Sequence, residues 1–208
     1  MMQFLIPILI AGAVGYFFYR RAMVSKRQRL IDTFRFPKKI NQQIRHTYPH
    51  LSQADVELVI DGLREYFHIC NIAGRQHVSM PSQVVDSAWH EFILFRHAYQ
   101  LFCNKALGRF LHHTPAEAMQ TPVEAQQGIK TAWRISCQRE AIDRNKPTSL
   151  PSLFAMDAAL NIPNGFIYTL DCGGSQQSGY CASHIGCASG CGSGCSDSGG
   201  CSSGCGGD

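Results

Sequence analysis

Apolar side chains recur along this chain at helical spacing in four separate stretches, and no run of alternating strand pattern is evident. In the first stretch Val56, Val59, Ile60, Leu63, Phe67 and Cys70 mark one face, and Gly74 closes the element. Ser52, with Asp55 three residues on, supplies an N-cap and an acidic first turn. The second stretch starts at Pro81–Ser82 and predicts the longest helix, running to about Asn104 or Gly108. Val85, Trp89, Phe92, Phe95, Tyr99 and Phe102 form its broad face, while Ile93, Leu94 and Leu101 carry apolar character onto other sides. A helix apolar nearly all round is normally a central, buried one. The third stretch runs from about Pro122 to Ile142 with Ile129, Trp133, Ile135 and Cys137, and the fourth is a short helix over Leu150–Leu160. Thr114–Pro115 reads as a cap followed by proline at the first helical position. Ser25–Tyr48 is polar and basic, with a short helix interrupted near Pro37, and Phe166–Leu170 reads as a lone extended segment.

The ends of the chain differ in kind from this body. Met1–Tyr19 holds no charged side chain, and Phe4–Phe18 is apolar almost throughout, close to the ~20 residues that cross a bilayer as a helix. A basic cluster follows at Arg20, Arg21, Lys26, Arg27 and Arg29, then Lys38 and Lys39. A cleaved signal peptide would open on a charged n-region, which is absent here. The expectation is therefore an uncleaved single-pass anchor at the cell membrane, with the positive flank keeping the soluble domain in the cytoplasm. Thiols there stay reduced. From Asp171 the composition turns to Gly, Ser and Cys. The organisation predicted is mostly α: a transmembrane anchor over 1–24, a compact helical domain over 25–170 and a disordered Gly/Ser/Cys-rich tail over 171–208.

Composition adds two features to this picture. Of ten cysteines, only Cys70, Cys103 and Cys137 lie in the body, so the fold does not depend on disulfides and these three read as core thiols. The tail holds the others, and Cys181, Cys187, Cys191, Cys195, Cys201 and Cys205 form a candidate thiol array for a soft cation such as Zn²⁺ or Cu⁺. Modification, cross-linking, or a low-complexity tail without a fixed partner are the competing readings of the array. The nine histidines are the second feature. Asp86, His90 and His97 fall within about 40° of one another at the ~100° per residue of a helix. His112 and His113 follow the turn at Gly108, from where the chain folds back toward that stripe.

These five residues are the candidate site. Asp86 and His90, one turn apart, joined by His112 or His113, suit a mixed His/carboxylate centre for zinc, iron or another transition metal. A buried polar network, in which Asp86 orients His90 and the other histidines cap helices, uses the same residues, as does catalysis without metal. The spacing carries no His-Glu-x-x-His and no paired Cys-x-x-Cys signature, and His46, His50, His68 and His77 follow no ligand spacing. Glu91 points about 100° away from His90 and reads as a surface residue. No dinucleotide, phosphate-loop or RNP-type motif appears, so no nucleic-acid partner is expected.

Met80–His90 with its Asp-x-x-Trp-His run, Tyr99 and Cys103, Gly108 and His112-His113-Thr-Pro115 resemble the core of the glycine-rich domain-containing protein-like family. Leu150–Pro151, Phe154 and Asp157 resemble the later part of that domain, so the likeness spans about 50–160. Phe92 stands where plant members often carry a second histidine, which removes a His-x-His pair. The resemblance implies a helical domain with no established enzymatic activity. The reading that follows is a membrane-anchored helical binding or scaffold domain that holds a transition metal at the Asp86 cluster. The alternative is an enzyme, a metal-dependent hydrolase using Asp86, His90 and His112.

Overall fold

The computed structural model describes residues 2–113, 122–170, 180–181 and 185. Helices follow one another as α1 (Met2–Thr33), α2 (Lys38–Thr47), α3 (Gln53–Ala73), α4 (Gln83–Leu94) and α5 (Arg96–Phe102). A π-helix (Cys103–Leu107), α6 (Pro122–Arg139) and α7 (Ser152–Ala159) come next. Two short strands, β1 (Tyr168–Thr169) and β2 (Tyr180–Cys181), pair in parallel with Tyr168 opposite Tyr180. The extended segment at 166–170 is thus not alone. Its partner lies in the Gly/Ser/Cys-rich stretch, where composition carries no pairing signal. Thr114–Pro115 and most of the tail lie outside the described residues.

The central helix is α3, which packs on α1, α2, α4, α6, α7 and the π-helix. Its start follows the sequence: the Ser52 hydroxyl accepts from Asp55 N–H while the Asp55 carboxylate accepts from Ser52 N–H, a reciprocal capping box. Phe67 on α3 is fully buried and meets the rings of Phe36, Trp89, Phe92 and Phe102, so one aromatic cluster ties α3, α4 and α5 to the α1–α2 connection. Gly62 lets α7 and α4 approach α3 closely: a Cβ there would stand 2.8 Å from the Met156 methyl of α7 and 3.0 Å from Val85 of α4.

The long helix expected from Ser82 to about Asn104 breaks at Phe95, whose φ of −82° and ψ of 58° leave the helical region. The chain restarts at Arg96 and then widens into the π-helix, which ends on Gly108 in the left-handed region at φ 69°. Gly108 N–H bonds back to the Cys103 carbonyl at 2.9 Å. The break ends the helical phase that Asp86 and His90 share, so His97 on α5 no longer continues their stripe.

The expected membrane anchor is overturned. Among the described residues no helix is long and apolar enough to cross a membrane. The apolar start does not form an element of its own: α1 continues unbroken to Thr33 and packs on α3 and the π-helix. The Val24 carbonyl accepts from the Asn71 amide at 3.1 Å, and Arg20 reaches to Gly74, so residues at the end of the expected span lie against the body. The membrane as a partner and the single-pass cell-membrane location rested on that span and go with it.

Arg64 fastens the end of α1 by donating to the carbonyls of Ile31, Asp32 and Phe34 while its guanidinium lies over the Phe36 ring. Beside it the buried His68 ring donates through Nε2 to Asp32 Oδ1 at 2.8 Å, and its Nδ1 finds no partner among the described residues. Burial pushes the His68 imidazole below its ordinary value; the charge of Arg139 on α6 adds to this, and Asp32 and Glu65 oppose it. The folded protein therefore takes up this proton less readily than the unfolded chain. The contribution is present above the unfolded value of about 6.5 and is lost as pH falls through the folded value. Denaturation midpoints measured from pH 8 down to 5 should fall below about 6.5. His68→Gln should flatten that part of the curve, and a curve of unchanged slope in the variant would assign the acid sensitivity to another group.

Candidate functional site

Asp86 sits in the first turn of α4, where carboxylates are favoured by the helix dipole. The start of α4 is fixed by two devices. Ser82 Oγ accepts from Val85 N–H at 3.3 Å, and the buried Asp157 carboxylate of α7 binds Ser82 Oγ at 2.7 Å. Asp157 also accepts from the N–H groups of Gln83 at 2.7 Å, Val84 at 3.3 Å and Phe166 at 2.9 Å. One carboxylate thus joins α7, the first turn of α4 and the segment leading to β1. The sequence carries one sign of this, a lone acid in the otherwise apolar run Leu153–Leu160.

One turn on from Asp86, His90 places Nδ1 3.3 Å from Asp86 Oδ2. From the other side His113 donates through Nε2 to Asp86 Oδ1 at 2.9 Å. The two imidazole centroids are 4.0 Å apart, and one nitrogen or oxygen donor of each residue lies within 4.8 Å of the others. The site is graded in exposure: the side chains of His113, Asp86 and His90 are 10%, 21% and 51% accessible. His113 is the inner member and His90 faces solvent.

The loop carrying His113 is strapped down by a relay that the residue pattern alone does not reveal. The Trp89 indole N–H donates to the Tyr99 hydroxyl at 3.1 Å, and that hydroxyl donates to the Leu111 carbonyl. Burial pushes the Tyr99 phenol far above its usual value, so it remains a proton donor. The Trp89 ring also packs edge-on against the His113 imidazole, with centroids 4.6 Å apart. The buried Trp89 therefore holds His113 both directly and through Tyr99.

The remaining candidates fall outside this group. His97 is exposed on α5, beyond the break at Phe95. His112 is exposed and turns to Phe110 at 4.8 Å between ring centroids. Cys181 lies in β2, and Cys187, Cys191, Cys195, Cys201 and Cys205 lie outside the described residues. The body cysteines Cys70, Cys103 and Cys137 are free and buried, and burial pushes Cys70 up to about 12 and Cys137 to about 11. They pack as inert core thiols.

Compared with known families, residues 26–189 match the UCP032817-like family. The chain belongs to the UCP032817-like family. The match takes in the last quarter of α1 from Lys26, every later helix and both strands, and ends inside the cysteine-rich stretch. No curated protein and no solved structure matches. The likeness to the glycine-rich domain-containing protein-like family is thereby corrected: nothing in the comparisons indicates a glycine-rich domain. Its Asp-x-x-Trp-His run is, in this UCP032817-like chain, a compact local device. One helical turn supplies a carboxylate, an indole and an imidazole to one returning loop. A motif so short is satisfied by local packing and does not define a family.

Proposed function

We propose that this chain is a helical binding domain whose site is Asp86, His90 and His113 and whose ligand is a divalent transition metal of the zinc or iron(II) class. The observation that supports this most is the convergence of one donor from each residue within 4.8 Å, drawn from two segments of chain. Metal bonds of about 2.0–2.1 Å set neighbouring ligands of a tetrahedral ion about 3.3 Å apart. His113 Nε2 lies 2.9 Å from Asp86 Oδ1 and His90 Nδ1 3.3 Å from Asp86 Oδ2, while one donor from each residue falls within 4.8 Å of the others, so side-chain torsions must turn to draw the three donors onto one ion. Two imidazoles and one carboxylate are the donor set that zinc and non-haem iron(II) accept. The half-open His90 gives an ion a route in from solvent.

Zinc titration of metal-free protein tests this, with accessible thiols alkylated first so that the tail cysteines do not compete. One equivalent should bind to the wild type, more weakly at lower pH because an imidazole must be neutral to ligate. His90→Ala should abolish that equivalent while leaving the helical circular dichroism unchanged, because His90 lies at the surface. A wild type that takes up no zinc, or a variant that binds as well, would falsify the reading.

A metal-dependent hydrolase at the same triad is the second reading. Three protein ligands leave a fourth position for water, as in catalytic zinc sites. It requires zinc-dependent hydrolysis of an activated ester that disappears in His90→Ala. Hydrolysis of equal rate in wild type and variant excludes it.

A further inference from the structure

Between α1 and the π-helix lies a cleft of about 260 Å³, lined by Met23, Lys26, Arg27, Leu30, Asn104 and Lys105. Three of these side chains are cations, one is an amide, and none is acidic. Among the described residues no carboxylate pairs with Lys26, Arg27 or Lys105 within 4.0 Å; the ion pairs found involve Arg64, Arg139 and histidines. Lysines on a convex helix face are ordinarily just solvated. Here the charges come from two different elements and surround a concavity, where the field is focused and an anion is attracted.

Two features fix the shape of the cleft. The π-helix has a wider turn than an α-helix, and it brings Asn104 and Lys105 to the α1 side; such segments occur frequently at functional sites. Gly108, at φ 69°, leaves room for the half-buried Arg27: a Cβ at this position would stand 1.9 Å from Arg27 Nη2. The guanidinium is therefore packed against backbone and is not a freely waving chain. Met23 and Leu30, on the same side of α1, supply an apolar wall.

We propose that this cleft binds a phosphate monoester carrying a small apolar group. The charge decides the class. A monocarboxylate carries one negative charge and would leave two of three cations uncompensated. A phosphate monoester brings close to two negative charges and three terminal oxygens, which an Arg fork and two ammonium groups take together. Asn104 donates to the ester side, and the apolar group lies on Met23 and Leu30.

Calorimetric titration of the full chain with phenyl phosphate, phenylacetate and inorganic phosphate tests the proposal. EDTA is included so that a metal at the Asp86 triad cannot hold the phosphate, which makes the outcome independent of that site. Phenyl phosphate should bind about tenfold or more tightly than phenylacetate, and weaken with added salt. Lys26→Gln with Lys105→Gln, both at exposed positions, should lower phenyl phosphate affinity about tenfold or more without moving the melting temperature. Met23→Ala with Leu30→Ala should remove the preference for phenyl phosphate over inorganic phosphate. Equal binding of phenyl phosphate and phenylacetate, or unchanged affinity in the double lysine variant, overturns the proposal. So does a loss of binding in His90→Ala of the same size as in the lysine variant.

Discussion

Replacing Asp157 with alanine is expected to destabilise the protein by about 3–5 kcal/mol, at the upper end of single-residue losses. Asp157 is 1% exposed and its two oxygens accept from Ser82 Oγ and from three backbone N–H groups, those of Gln83, Val84 and Phe166. Alanine takes the acceptor away from the buried Ser82 hydroxyl and Val84 N–H and from the part-buried Gln83 N–H, and each orphaned group costs about 1–3 kcal/mol, less where water enters. The cavity adds to the loss because Gly165 packs against the Asp157 side chain, where a Cβ would stand 2.7 Å from Asp157 Cβ, and cannot fill its place without moving the strand connection. Asp157→Asn keeps the shape and one acceptor but exchanges the other for a donor that faces N–H groups, so its loss should be intermediate. Urea denaturation checks both: midpoints should fall in the order wild type, Asn, Ala, with equal slopes. A midpoint for the alanine variant within 0.5 kcal/mol-equivalent, about the spread of ordinary surface changes, would show that water replaces the carboxylate. Because Asp157 fixes the first turn of α4, which carries Asp86, that carboxylate should also lose its position, and zinc uptake should weaken with stability.

The elements that the sequence announces are those whose ends carry local chemistry. Ser52, Asp55 and Gly74 bound α3 by capping groups that act within a few residues, and the 3.6-residue apolar period between them reflects a helix with one face on the core. The same reasoning places the start of α4 at Ser82. It fails at Phe95, because no proline or glycine marks the break; Phe95, Arg96 and His97 are all compatible with helix. The break is a tertiary outcome, and so is the π-helix that follows. His97 falls on the stripe only if one helical phase continues through that break, which is why it stands apart. Asp86 and His90, within a single turn of α4, needed no such extrapolation and do meet. The choice between His112 and His113 was open in the sequence. Adjacent residues of an extended loop point to opposite sides, and the loop's direction is set by Tyr99 gripping the Leu111 carbonyl. The expected anchor fails for a related reason: a hydropathy pattern does not show that the same helix continues into a basic stretch and packs on α3 and the π-helix.

The Tyr99 hydroxyl is expected to be the most sensitive single atom group for the geometry of the triad. Tyr99→Phe removes one oxygen and no ring packing, yet it orphans the Trp89 indole N–H and the Leu111 carbonyl, both in buried residues. Two groups at about 1–3 kcal/mol each, with partial relief as Leu111 shifts toward solvent, give an expected loss of about 2–4 kcal/mol. The consequence for the site follows from connectivity. Leu111 is two residues before His113, so freeing its carbonyl frees the loop that carries the inner imidazole. Trp89→Phe acts on the other end: the Tyr99–Leu111 bond survives, while the edge contact to His113 is lost. If the triad holds zinc, Tyr99→Phe should weaken it about 10–100-fold, the usual cost of losing a group that orients a ligand. A merely structural Tyr99 would give the stability loss without the affinity loss. Titrations are therefore made at a temperature where both proteins are fully folded by circular dichroism. Equal zinc affinity in the two proteins would show that His113 is held by Asp86 alone, through the 2.9 Å bond, and that the strap serves only the fold.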